Sequence, residues 1–96
     1  MLQQVTIQTD DQQTLRPLIQ SALENEKKIV QLGLERTRAR LAVFEATFHM
    51  TSAEFERRLH ANEITETVEH SDWRAELGML ALLERQYRAL EEARLD

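Results

Sequence analysis

Residues 50–55 read Met50-Thr51-Ser52-Ala53-Glu54-Phe55, the clearest helix start in the interior of the chain. Thr51 is placed to accept a hydrogen bond from the Glu54 amide while the Glu54 carboxylate reaches back to the Thr51 amide, and Met50 is placed to pack on Phe55 as a hydrophobic staple. A helix that begins here requires the preceding one to end here. The preceding segment is itself strongly helical: Ile19, Leu23, Val30, Leu34, Leu41, Phe44 and Phe48 recur in steps of three and four or their sums, which is one stripe of a helix. Glu26, Lys27 and Thr37 occupy gaps in that stripe, and a second line through Leu15, Leu18, Ala22, Ile29 and Leu32 widens its first half. Two neighbours could be covered there.

The only proline, Pro17, has no amide hydrogen and is tolerated near a helix start, so the first helix is expected to begin at Asp11 or Thr14 and to run to about Met50. Its ~35 residues would span ~50 Å, longer than a compact domain of this size is wide. Gly33, in its middle, is either a crossing point for a second helix or a tolerated weak spot. After residue 55 a short helix reaches about Leu59 or His60 and gives way to Ala61-Asn62-Glu63 and the β-branched run Ile64-Thr65-Glu66-Thr67-Val68. Ser71 or Asp72 is the expected cap of a last helix carrying Trp73, Leu77, Leu80, Leu83, Tyr87 and Leu90 at helical spacing. About 24 residues long, it would lie antiparallel on the far half of the first helix and cover Leu34, Leu41 and Phe44.

These elements make an all-α fold: a long antiparallel helical hairpin, coiled-coil-like, with a short capping helix at the elbow. Residues 14–96 form that single domain and residues 1–13 an extended or flexible arm. Gln4-Val5-Thr6-Ile7-Gln8 alternates polar and apolar as a short strand does, able to pair with residues 63–68 or with a partner chain, although a frayed terminus is the plainer reading. The expected core is Leu34, Leu41, Phe44, Phe48, Met50, Phe55, Trp73, Leu77, Leu80 and Tyr87. Trp73 is its natural anchor, beside Phe44, Phe48 and Phe55, although tryptophan is also favoured at interfaces.

Composition fits this picture. Ninety-six residues with 42% hydrophobic and 30% charged side chains suit one small folded domain rather than a disordered tail, and two glycines with one proline leave too few turns for an all-β fold. With no cysteine, a disulfide scaffold, a thiolate metal site and a cysteine nucleophile are all excluded. Met1 to Asp10 has neither a basic start nor an apolar run, and no 18-residue apolar stretch follows. A soluble chain in the cytoplasm is therefore expected, with no membrane contact.

Chemistry finds little footing. His49, His60 and His70 are not spaced to share a helical face, so three exposed loop histidines are expected rather than a metal site. His49 would also suit the negative end of the first helix. Ser21, Ser52 and Ser71 lack a glycine-rich elbow, no phosphate-cradling loop is possible with two glycines, and the four acids Glu63, Glu66, Glu69 and Asp72 have no setting that would separate an acid from a base. The expectation is a protein that is not an enzyme, with no cofactor, metal or small-molecule substrate. The net charge of −5 argues against nucleic acid as the direct partner. The charge is uneven: residues 51–72 hold six acids and two arginines, while Arg36, Arg38 and Arg40 cluster on the first helix with Arg36 and Arg40 one turn apart. Either patch could steer a partner, or simply solvate the surface.

The pattern Phe44-Glu45-x-x-Phe48-x-Met50-Thr51-Ser52-x-x-Phe55, followed by an acidic loop and Trp73, resembles a group of small all-helical prokaryotic proteins associated with antitoxin partners of small toxin proteins. The resemblance covers about residues 41–83. Where that group often has glycine, before the methionine and in the loop, this chain has His49, Asn62 and Ile64. The resemblance implies a binding protein that neutralises a cognate toxin, its acidic loop standing in for RNA phosphates. The alternative is a self-assembling homo-oligomeric helical adapter with no toxin partner. The candidate partner-binding residues are Arg36, Arg40, Glu63, Glu66, Glu69, Val5 and Ile7.

Overall fold

The first helix starts where an acidic side chain can close its open end. In a computed structural model describing residues 1–95, Asp11 caps α1 (Gln12–Phe48): its carboxylate accepts from the Thr14 amide at 3.1 Å and from the Thr14 hydroxyl at 2.7 Å. These two bonds hold the Asp11 carboxyl below the usual carboxylate range. Asp11 is the cap and Thr14 lies inside the helix. Pro17 therefore falls at the sixth helical position, where it withholds a hydrogen bond from the Gln13 carbonyl.

The elbow is built from local bonds. His49 takes the left-handed conformation at the end of α1, with φ 53°, and the Met50 amide donates back to the Glu45 carbonyl at 3.2 Å. This closes the helix as the Schellman arrangement does. The Glu45 carboxylate then accepts from the Ser52 amide at 2.7 Å, so the last turn of α1 caps the first residue of α2 (Ser52–His60). Thr51 accepts from the Glu54 amide at 3.1 Å as its sequence implies. The Glu54 carboxylate does not return to Thr51; it pairs with Arg57 and Arg58, because two guanidinium groups outbid one amide. Asn62, with φ 58°, turns the chain out of α2.

Helix α3 (Val68–Glu92) begins ahead of Ser71 and Asp72, the expected caps. Thr67 is the cap, and its partner is a histidine: the His70 amide donates to Thr67 Oγ1 and the Thr67 amide donates to His70 Nδ1, both at 3.3 Å. His70 is consequently buried, not an exposed loop side chain, whereas His60 is exposed.

Helix α3 runs antiparallel to α1. Phe44 and Phe48 meet Trp73, Arg40 meets Glu76 at 3.2 Å, Gly33 meets Leu83, and Lys27 lies over the Tyr87 ring at 5.6 Å. A Cβ at Gly33 would lie 3.3 Å from Leu83 Cδ1, so the glycine marks a close approach of the two helices. Val30, Leu34, Thr37 and Leu41 are buried along this seam. Thr37, a gap in the apolar stripe, is covered as fully as its neighbours because it keeps the seam's spacing. The second line behaves oppositely: Leu18, Ile29 and Leu32 stay 59–60% exposed.

The molecule measures 58 × 25 × 18 Å, with a radius of gyration of 18.8 Å, against about 12–13 Å for a compact domain of this length. Among the described residues there is no strand. Val5 and Ile7 are exposed and line a cleft with Leu15, Ile19 and Leu95 at the open end of the hairpin, so they do not pair with residues 63–68 at the elbow. Among the described residues no helix is long and apolar enough to cross a membrane.

Candidate interaction surface

Three regions could carry function, and the elbow is the most constrained. Trp73 is fully buried and stacks on Phe55 with centroids 4.0 Å apart and planes 4° apart. Phe44 and Phe48 lie at 5.7 Å on its remaining sides. The indole Nε1 donates to Ser52 Oγ at 3.0 Å, so the polar handle of the ring is satisfied where burial would otherwise be costly. His70 fits against Phe48 and Phe55 with centroids at 5.0 and 5.5 Å. Its Nδ1 lies 3.3 Å from the Thr67 amide and 3.1 Å from the Thr65 carbonyl. The first contact needs Nδ1 as acceptor and the second needs it as donor, so the tautomer decides which forms. Both partners are backbone groups holding the loop to the start of α3. The arrangement is a fastening.

The acidic segment is partly neutralised by the chain itself. Glu63 pairs with Arg57 at 3.2 Å and Glu66 with Arg74 at 2.7 Å. The Arg74 bond holds the Glu66 carboxyl below its ordinary range. Glu54, between two arginines, falls to about 2, first through its bonds to Arg57 and then to Arg58. Glu69 is lowered by its own backbone amide and by Thr67 at the start of α3. What the sequence presents as four loose acids is mostly a set of exposed ion pairs and a helix start, which reduces the field available to steer a basic partner. Among the described residues no group of three or more histidine, aspartate or glutamate side chains is placed to hold a metal ion.

The basic cluster divides. Arg40 turns to Glu76 on α3, while Arg36, one turn earlier, stays exposed with no ion pair to α3 among the described residues. Glu76 Oε1 takes the arginine, while Oε2 is buried with no hydrogen-bond partner.

The third region is the uncovered side of the helices. Leu18, Ile29, Leu32 and Val43 on α1 are 59–65% exposed, and Met79 and Leu82 on α3 are 45–48% exposed. Helical spacing groups Leu18, Ile29 and Leu32 with the apolar stripe, because spacing alone does not say which of two apolar lines a single partner helix will cover. Val43 completes the row and escapes that grouping; its spacing of eleven residues from Leu32 is the signal that could have found it. Compared with known proteins, the chain matches no family model, no curated protein and no solved structure.

Proposed function

We propose that the chain is a non-enzymatic protein–protein interaction module working in the cytoplasm. The observation that carries this reading is the row of Leu18, Ile29, Leu32 and Val43, large apolar side chains on one side of a single helix and each more than half exposed. A chain this short has little apolar surface to spare, and an aligned set of exposed large apolar side chains on one helix face marks a contact surface. The elongated hairpin supports the reading by presenting this row over most of the length of α1.

The test replaces Ile29 and Leu32 with glutamate. Both are exposed, so the hairpin is expected to keep its helicity while losing association with its partner, followed by sedimentation and by cross-linking with mass spectrometry. Association at full strength in that variant refutes the reading.

Neutralisation of a small toxin protein, which the resemblance over residues 41–83 implies, is a second reading. The arm favours it: Val5 is 88% and Ile7 60% exposed, alternating in a segment free to add a strand to another protein. Co-expression with the product of the adjacent gene, with and without residues 1–9, tests it through rescue of growth.

A further inference from the structure

We infer that the exposed side of α1 is the seam of an antiparallel homodimer, in which α1 of one copy lies along α1 of a second copy about a two-fold axis between Val30 and Gln31. The inference rests on the interaction reading above and names its partner. From Leu18 the exposed positions continue through Ala22, Asn25, Ile29, Leu32, Arg36, Ala39 and Val43 in strict steps of four and three, all of them exposed. That is the a/d repeat of a coiled coil sustained for more than three heptads. It lies on a different side of α1 from Val30, Leu34, Thr37 and Leu41, which α3 already covers.

The row is self-complementary when read in opposite directions. About an axis between residues 30 and 31, Leu18 faces Val43 and Ile29 faces Leu32, so large apolar side chains meet. Ala22 faces Ala39, two small residues in one layer, and Asn25 faces Arg36, the two polar positions of the row. Each layer joins an a position to a d position, as antiparallel helices require. A two-fold contact needs this property, because the same patch must fit itself. Parallel pairing would place Arg36 against Arg36 in the seam.

Charge points the same way. The residues just before Ile29 and Arg36 are Lys28 and Glu35, both exposed, and among the described residues neither has an ion-pair partner. Along the edge of the antiparallel seam Lys28 of one copy meets Glu35 of the other, twice by symmetry, where flanking charges set partner and orientation. The seam is ~38 Å long. Its four large apolar side chains in two copies withdraw roughly 800 Å² from water, and the intervening alanine, asparagine and arginine layers bring the total past the ~1,000 Å² of a specific interface.

The absence of native cysteine makes the geometry directly readable. Leu18→Cys and Val43→Cys are prepared separately, each at an exposed position. Disulfide-linked dimer is expected in an equimolar mixture and in neither variant alone, since identical positions lie at opposite ends of the seam. Cross-linking of either variant by itself, or none in the mixture, overturns the antiparallel dimer. Light scattering of the unmodified chain at micromolar concentration is expected to give twice the 11.2 kDa of one copy, and a monomer mass overturns it. Lys28→Glu is expected to weaken the dimer about tenfold or more at low salt, with Lys28→Glu combined with Glu35→Lys restoring it; unchanged affinity in Lys28→Glu counts against the pairing. A monomer that still binds a co-expressed protein through Ile29 and Leu32 overturns the homodimer and leaves the interaction reading standing. A monomer in which those residues are dispensable overturns both.

Discussion

The two glycines offer a controlled comparison of what the hairpin does to α1. Both sit inside helices, Gly33 in α1 and Gly78 in α3, and replacing either with alanine removes the same backbone freedom from the unfolded chain. On propensity alone each substitution stabilises by about 1 kcal/mol. At Gly78 an added Cβ meets nothing within 4 Å, so the full gain is expected, about 4–8 °C in Tm for a domain of this size. At Gly33 the same Cβ lies 3.5 Å from Leu83 Cδ2, an ordinary contact, but 3.3 Å from Cδ1, closer than relaxed carbon atoms usually sit, so Leu83 must give by a few tenths of an ångström and some of the gain is lost. Thermal and urea melts at one protein concentration read the difference. In a Leu83→Ala background the obstruction is gone, and Gly33→Ala is expected to recover the full ~1 kcal/mol, a coupling that a double-mutant cycle isolates. Equal gains at Gly33 and Gly78 in the unmodified chain, with no coupling between Gly33 and Leu83 in the cycle, would count against α3 crossing α1 at Gly33 and against the register built on that contact.

The other predictions bear on separate regions of the molecule. Trp73→Ala, which empties the centre of the elbow, is expected to cost ~3–5 kcal/mol and unfold a marginal domain, while Phe44→Ala, half-buried, costs less; near-native melting of Trp73→Ala would refute the ring stack. His49 and Asn62 hold left-handed backbone that glycine adopts freely, so His49→Gly and Asn62→Gly are each expected to raise stability by up to ~1 kcal/mol, and a loss in both would contradict the elbow geometry. Because Glu54 is held at about 2 in the fold against 4.5 ordinarily, its pairing stabilises above pH 4.5 and is lost as pH falls toward 2. The small Tm difference between the native chain and Glu54→Gln should therefore be constant near neutrality and vanish by pH 2 in circular-dichroism melts. Pro17→Ala restores a bond to the Gln13 carbonyl in a stretch of α1 that α3 does not reach, so hydrogen exchange of the first turns should slow with little change in global Tm.

The sequence made the helices legible where local rules act alone. Helical spacing from Leu18 to Phe48, with no proline after Pro17, leaves α1 no place to stop, and Met50 to Phe55 requires a new start. The beginning of α3 is hidden because the box at Thr67 is closed by a histidine where glutamate or glutamine is the familiar partner, and because Ile64 to Val68 suggests extended chain on both sides of the true boundary. The burial of His70 follows from that same box and is hidden with it. The ion pairs of Glu63 and Glu66 join residues six to eight apart across a loop, a distance no helical repeat encodes. The outer row of α1 is visible as apolar residues but not as surface, since that distinction depends on which side α3 takes.

The two ends of the described chain share one end of the hairpin, with Gln3 to Thr9 and Arg94–Leu95 around a common cleft, while Phe44, Phe48, Phe55 and Trp73 are gathered at the other. A chain attached to something at both termini would bear load across the hairpin's open mouth. Its layers would separate in succession: Tyr87 from Lys27, then Leu83 from Gly33, then Glu76 from Arg40, and the stack around Trp73 at the end. Such loading resists weakly at first and firmly at the finish, giving an extensible tether whose elbow acts as the stop.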